Sequence, residues 1–143
     1  MKVFFDSSAL IKRYIAEMGA DRVRELLEGT SDLGVAVICR PEVISGLSRL
    51  RREKKIDAGE YQRAKADLGA DLEDASVLNL TQDVLDRAVD LLERFTLRAS
   101  DALHVACAID WSAQQFVSAD GRQCDAAEAC GLKVERLALG PVK

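Results

Sequence analysis

The sequence predicts an α/β fold with a central, mostly parallel five-stranded sheet flanked by helices, and three observations carry that expectation. Short β-rich runs alternate with longer amphipathic ones along the chain, the pattern a parallel sheet requires. Glycine and proline punctuate the joints, as at Gly19, Gly29, Gly131 and Pro41. The chain has 143 residues, the size of one domain able to bury roughly 68–70% of its unfolded surface. One domain over 1–143 is therefore expected.

Taken in order, Lys2-Val3-Phe4-Phe5 reads as a strand over 2–5. Asp6-Ser7-Ser8 follows, and Asp6 suits the cap of a helix over 8–17. Val23, Leu26 and Leu27 share a helical face and predict a helix over 19–29. Gly34 and the apolar run Val35-Ala36-Val37-Ile38-Cys39 predict a strand over 34–39, after which Pro41 fits the first position of a helix over 41–54. The next helix, over 58–71, is polar (Glu60, Gln62, Arg63, Lys65, Asp67) and with its neighbour forms an expected two-helix arm projecting from the sheet. A strand over 76–79 leads to a helix over 82–95, capped by Thr81, with Leu85, Ala88, Val89 and Leu92 on one face. Ser100 is the expected cap of a very apolar helix over 100–111. A strand over 115–118, a helix over 122–130 and a strand over 133–137 complete the pattern.

Composition narrows the function classes. With 48% hydrophobic and 31% charged residues, the chain reads as soluble and globular rather than disordered. No apolar run approaches the ~20 residues of a membrane span, and Asp6 comes too early for a signal peptide's apolar region. A cytoplasmic location is expected. The four cysteines (Cys39, Cys107, Cys124, Cys130) form no C-x-x-C pair, and His104 is the single histidine. Neither a zinc site nor a disulfide framework is supported. The net charge of −4 argues against an indiscriminate nucleic-acid binder.

Four acids equal that charge: Asp6, Glu42, Asp101 and Asp120. Asp6 and Asp120 end apolar strands, and Glu42 follows one after Arg40-Pro41. The carboxyl ends of parallel strands are where open α/β sheets bind ligands. Each acid also has a plain structural reading. Asp6 can be a helix cap, Glu42 a first-turn acid favoured by the helix dipole, and Asp120 a turn residue before Gly121. Asp101 opens an apolar helix, where its carboxylate needs a partner. Brought together, the four repel one another, and a divalent, oxygen-seeking metal is the simplest offset.

The chain resembles the PIN-domain ribonucleases, and most closely the VapC-type toxins of bacterial and archaeal toxin–antitoxin pairs. The matching stretches are Val3-Phe4-Phe5-Asp6-Ser7-Ser8-Ala9-Leu10-Ile11-Lys12, Pro41-Glu42-Val43, Ser100-Asp101-Ala102-Leu103-His104-Val105-Ala106-Cys107-Ala108, and Phe116-Val117-Ser118-Ala119-Asp120 followed by Ala127 to Leu137. They run in order over essentially the whole chain. The resemblance implies a single PIN-like domain with a protruding helical hairpin. It also implies a catalytic, metal-binding quartet of Asp6, Glu42, Asp101 and Asp120 with a supporting hydroxyl on Ser8. Mg²⁺ or Mn²⁺, one ion or two, would activate water to cut an RNA phosphodiester. Asp6 and Asp101 are the expected direct ligands. Ser118 stands where threonine is common, and Asp125 lies within about a turn of Asp120, which leaves open which of the two completes the site. Implied partners are an RNA substrate, a VapB-type antitoxin, a second copy of the chain in a homodimer, and a higher-order complex with the antitoxin.

Arg49, Arg51 and Arg52, with Lys54 and Lys55, form the densest basic run. It could guide an RNA backbone or simply be a solvated helix end. Arg13 and Arg98 are candidates for contacting phosphate or a partner's carboxylate. His104 could orient an acid, with a packed structural role as the expectation. The alternative function is a regulatory scaffold that binds an antitoxin, and operator DNA through it, with little catalysis. Phosphotransfer at Asp6 is disfavoured, because Ser8 stands where the haloacid-dehalogenase-like pattern needs a second acid.

Overall fold

The computed structural model describes residues 1–137. Alternation along its first strand, β1 (Lys2–Phe5), sets the two faces of the sheet. Val3 and Phe5 point to one side, with Val35 and Val117; Phe4 points to the other, with Ala36 and Phe116. The remaining strands are β2 (Asp32–Ala36), β3 (Ser76–Leu78), β4 (Gln115–Ser118) and β5 (Val134–Arg136). They lie in the order β3-β2-β1-β4-β5, and all four pairings are parallel. The helices are α1 (Ser7–Leu10), α2 (Ala20–Glu28), α3 (Cys39–Arg52), α4 (Ala58–Asp74), α5 (Gln82–Arg94), α6 (Ala99–Asp110) and α7 (Gly121–Ala129).

Both faces of the sheet are covered, which is why its strands read as continuous apolar runs. Leu10, Val23, Val43, Leu47 and Leu68 from α1 to α4 pack on the Phe5 side. Val84, Leu91, Val105 and Ala127 from α5 to α7 pack on the Phe4 side, where Phe4 stacks on Phe116 at 5.7 Å. After β1 the chain builds outwards through β2 and β3, then returns to place β4 on the other side of β1. The carboxyl ends of β1 and β4 therefore flank the topological switch point, where the connecting segments diverge and leave a crevice.

Several sequence expectations shift. The strand expected over 34–39 ends at Ala36, and Cys39 already belongs to α3. Cys39, Val43 and Leu47 are buried at four-residue spacing, and a run apolar throughout cannot reveal where strand gives way to helix. Pro41 is consequently the third residue of α3, still within the turn whose amides have no intrahelical acceptor. Gly34 sits within β2, paired with Phe4 and Ser76, rather than at its start. The helix expected over 8–17 is the short α1 followed by a 3-10 turn at Ile11–Arg13. There the Lys12 ammonium turns onto Glu17 Oε1 (3.0 Å) and the Met18 carbonyl (2.8 Å). On α5 the buried face is Val84, Ala88 and Leu91, while Leu85, Val89 and Leu92 face outward. Arg98 caps α6, and Ser100 lies inside it. The expected arm is the α3–α4 pair: residues 51–55 at its tip are exposed, and Ala64 and Leu68 in its stem join the core.

Gly34 has a packing reason. A Cβ there would lie 2.4 Å from Cζ3 of Trp111, whereas one at Gly69 within α4 meets nothing within 4 Å. Gly34→Ala is expected to destabilise the fold by about 1–3 kcal/mol through overpacking. Gly69→Ala is expected to stabilise it by up to ~1 kcal/mol through helix propensity. Chemical denaturation of the two variants checks both signs; an unchanged midpoint for Gly34→Ala contradicts the close approach.

Candidate functional site

Asp6 leaves the end of β1 and caps α1, its Oδ1 accepting the Ala9 amide at 3.0 Å. The same oxygen accepts the Ser8 hydroxyl at 2.8 Å, and Oδ2 accepts the Ser118 hydroxyl at 2.6 Å. The residue is fully buried. Burial pushes its pKa above the ordinary 3.8, and the field of His104 with these three hydrogen bonds opposes that shift only in part. Ser8 and Ser118 thus act on Asp6 directly, and each also fixes the loop after β4: Ser8 Oγ accepts the Ala119 amide (3.0 Å) and Ser118 Oγ the Asp120 amide (2.9 Å).

Glu42, in the first turn of α3, accepts the Ser7 hydroxyl at 2.7 Å and His104 Nε2–H at 2.6 Å, both on Oε1. Partial burial disfavours its charge, but the bonds from His104 and Ser7, the field of His104 and the Ser100 hydroxyl outweigh it and hold its pKa below 4.5. Asp101, in the first turn of α6, is buried. Its Oδ2 accepts the Arg98 backbone amide (3.0 Å) and Nε–H (3.3 Å); its Oδ1 accepts Gln123 Nε2–H (3.0 Å) and Arg98 Nη2–H (3.4 Å). Asp120 caps α7 through Oδ1, which accepts the amides of Arg122 (2.9 Å) and Gln123 (3.3 Å). Its Oδ2 lies 3.9 Å from Arg98 Nη2.

Asp101, Asp120, Ser8 and Arg98 line one open cavity of about 800 Å³, together with Lys12, Glu17 and Arg122. Asp6 does not line it but bonds the lining Ser8, whereas Glu42 is bonded to Ser7 and His104, and none of these three lines the cavity. Asp125 points elsewhere, pairing with Arg136 at 2.7 Å, so Asp120 is the acid of the pair that borders the cavity. Arg13 is clasped by Asp71 at 2.6 Å, next to the Tyr14 hydroxyl, which donates to the same carboxylate. Arg49, Arg51 and Arg52 are exposed towards the tip of the α3–α4 hairpin, with Arg51 stacked 5.5 Å from the Tyr61 ring centroid.

The donors suit a hard cation. Carboxylate and hydroxyl oxygens favour Mg²⁺ or Mn²⁺, while burial pushes the Cys39 thiol up to about 12 and the Cys124 thiol up to about 11, so neither offers a thiolate to select a soft metal. Spacing is less complete: among the described residues, no three acidic, histidine or cysteine side chains stand together as a ligand cluster. Arg98 Nη2 nevertheless reaches Asp101 and Asp120 at once. One cationic group thus lies against two of the acids, and the fit to a hard cation rests on the chemistry of the oxygen donors.

Three contributors lay outside the sequence argument. Lys12 is buried in a run that reads as one face of a helix. Gln123 is buried beneath Asp101, with Oε1 unpartnered. Ser7 bonds Glu42 across 35 positions of sequence. Only His104 carried a signal, as the single histidine one turn beyond Asp101.

Residues 3–129 match the PIN domain family. The chain is 32% identical to ribonuclease VapC46 of Mycobacterium tuberculosis (strain ATCC 25618 / H37Rv) over 134 residues, 92% of this chain and 95% of that protein. It is 28% identical to ribonuclease VapC49 of the same strain over 141 residues, 97% and 98% of the two chains. Among solved structures, VapC20 of Mycobacterium tuberculosis, a sarcin–ricin loop cleaving toxin, superposes with a TM-score of 0.68 at 18% identity, covering 94% of this chain and 98% of that one. VapBC2 from Rickettsia felis, bound to a promoter DNA fragment, gives 0.68 at 14% identity over 95% and 98%. At those identities the structural likeness speaks to the fold.

The raised pKa of Asp6 has a definite sign. The native state holds its proton more tightly than the unfolded chain, so the stability this proton contributes is full below about 3.8 and is lost as pH rises through the higher folded value. Asp6→Asn removes the cost of burying the charge and is expected to stabilise the metal-free protein at pH 7 by on the order of 1 kcal/mol. The gain should shrink as pH falls towards and below about 3.8, where the unfolded chain takes up the same proton. Thermal denaturation at pH 3.5 and pH 7 measures the difference, and a variant less stable than wild type at pH 7 contradicts it.

Proposed function

The chain belongs to the PIN-domain family, among its VapC-type ribonucleases, and on that footing we propose that it is a Mg²⁺- or Mn²⁺-dependent endoribonuclease, the toxin of a toxin–antitoxin pair. The observation that supports this reading is an open cavity at the switch point of the parallel sheet that Asp101 and Asp120 line, with Ser8 in its wall bonded to the buried Asp6. A divalent ion, when bound, lowers the pKa of a water and offsets charge on the leaving oxygen. Asp6 and Asp101 would hold it directly, with Glu42 and Asp120 acting through water, since Mg²⁺ takes only one or two carboxylates and keeps several waters.

The chain's own residues do the rest. Ser8 and Ser118 aim the two oxygens of Asp6. His104 and Ser7 keep Glu42 ionised, the form in which it can act on a cation through water. Arg98 and Arg122 border the cavity and would meet the non-bridging oxygens of an RNA phosphodiester. Arg49, Arg51 and Arg52 would grip the RNA backbone farther along α3, or a partner. A VapB-type antitoxin, a homodimer and a higher-order complex with the antitoxin complete the proposed assembly. The antitoxin is supported by solved neighbours that are toxin–antitoxin complexes, such as one from Klebsiella pneumoniae with a TM-score of 0.65.

One observation favours the scaffold reading instead. Asp101 and Glu42 already have intramolecular partners in Arg98 and His104, as acids with no ion to bind would. RNA cleavage separates the two. Purified protein is expected to cut RNA with Mg²⁺ or Mn²⁺ and not with excess chelator, and Asp6→Asn or Asp101→Asn to lower the rate by at least ~100-fold. Both variants cutting as fast as wild type ends the nuclease reading. No Mn²⁺ binding by calorimetry together with tight binding to a VapB-type antitoxin establishes the scaffold.

A further inference from the structure

We propose that Arg98 is a built-in counterion of the acidic cavity, held across Asp101 and Asp120 and displaced from Asp101 when a divalent cation takes that carboxylate. The proposal rests on the metal-dependent reading above. Its geometry is specific. The Asp101 side chain is 4% exposed and that of Arg98 76%, so the guanidinium covers the carboxylate from the solvent side. Nε lies 3.3 Å from Asp101 Oδ2, and Nη2 lies 3.4 Å from Asp101 Oδ1 and 3.9 Å from Asp120 Oδ2. One planar cation spans both acids on the side by which an ion from the cavity would enter. Lys12 cannot serve in this way, because its ammonium is committed to Glu17 and the Met18 carbonyl.

The arrangement is also built to release. The Arg98 backbone amide makes its own bond to Asp101 at 3.0 Å, so the side chain can swing away while the first turn of α6 stays capped. Water surrounds the guanidinium and weakens its hold, whereas a hard divalent ion binds carboxylate oxygens directly. Two positive groups cannot share the same carboxylate edge. The ion therefore competes with Arg98, and the affinity measured in solution is the net of that exchange.

Titration calorimetry of the metal-free full chain with Mn²⁺ tests this on wild type, Arg98→Gln, Arg98→Lys and a surface-charge control, Arg87→Gln, at an exposed position of α5. Arg98→Gln is expected to bind roughly 5- to 10-fold more tightly, the gain from removing one exposed ion-pair competitor. Arg98→Lys should fall between it and wild type, because a lysine keeps the charge without the fork, and Arg87→Gln should match wild type. In wild-type protein the Arg98 Nε–H resonance should move on adding Mg²⁺, a readout that needs no variant to fold. Arg98→Gln binding no tighter than wild type, Arg87→Gln gaining as much, or an unmoved Arg98 resonance at Mg²⁺ saturation overturns the counterion role while leaving the metal-dependent reading standing. Absence of Mn²⁺ binding by every protein overturns both.

Discussion

Asp6 buries a carboxylate at the end of the central strand, and the surrounding structure is arranged to satisfy it. Its two oxygens draw on the Ala9 amide and the Ser8 and Ser118 hydroxyls, so one side chain ties β1, α1 and β4 together. Both hydroxyls also accept amides of the loop after β4, at Ala119 and Asp120. That loop carries the acid bordering the cavity, so the geometry of Asp120 depends on the same two serines that hold Asp6. Hydroxyls supply these bonds without adding a counter-charge.

The other acids are stabilised by different means, and the difference bears on function. A carboxylate withdrawn from water needs hydrogen bonds or a nearby cation to keep its charge. Glu42 is met by His104, Asp120 by the amides of α7, and Asp101 by Arg98 and Gln123. Of the last two partners, the buried one is the neutral amide and the exposed one is the cation. A buried lysine or arginine at position 123 would cancel the Asp101 charge permanently. Gln123 satisfies its geometry and leaves its charge available at the cavity.

The β strands and longer helices were legible because burial on both faces and period-3.6 stripes leave strong marks in the sequence. The positions of Asp6, Asp101 and Asp120 at strand and helix ends were legible because each is a good cap or first-turn residue. Boundaries within apolar runs were not legible: Val37, Ile38 and Cys39 leave the sheet and enter α3 without a polar residue to mark the change. The outward face of α5 was misread because Leu85, Val89 and Leu92 share periodicity with Ala88, and spacing alone does not say which flank meets α6. Gln123 and Ser7 were invisible for another reason. Their roles come from contacts across 22 and 35 positions, which no local pattern encodes.

The placing of positive charge constrains the proposed substrate. Glu42 and Arg52 stand ten residues apart on α3, roughly 15 Å along the axis at about 1.5 Å per residue. That exceeds the ~8–10 Å over which salt screens charges in solution, so the basic end of α3 scarcely alters the field at the acids. It can influence events at the cavity only through a ligand that touches both. A mononucleotide is too short for that, whereas an RNA strand several nucleotides long lays some phosphates against Arg49 and Arg52 while another reaches Asp101. On the proposed reading, negative site and distant positive patch are thus complementary: one attracts the cation, and the other holds the polyanion that the bare acids would repel.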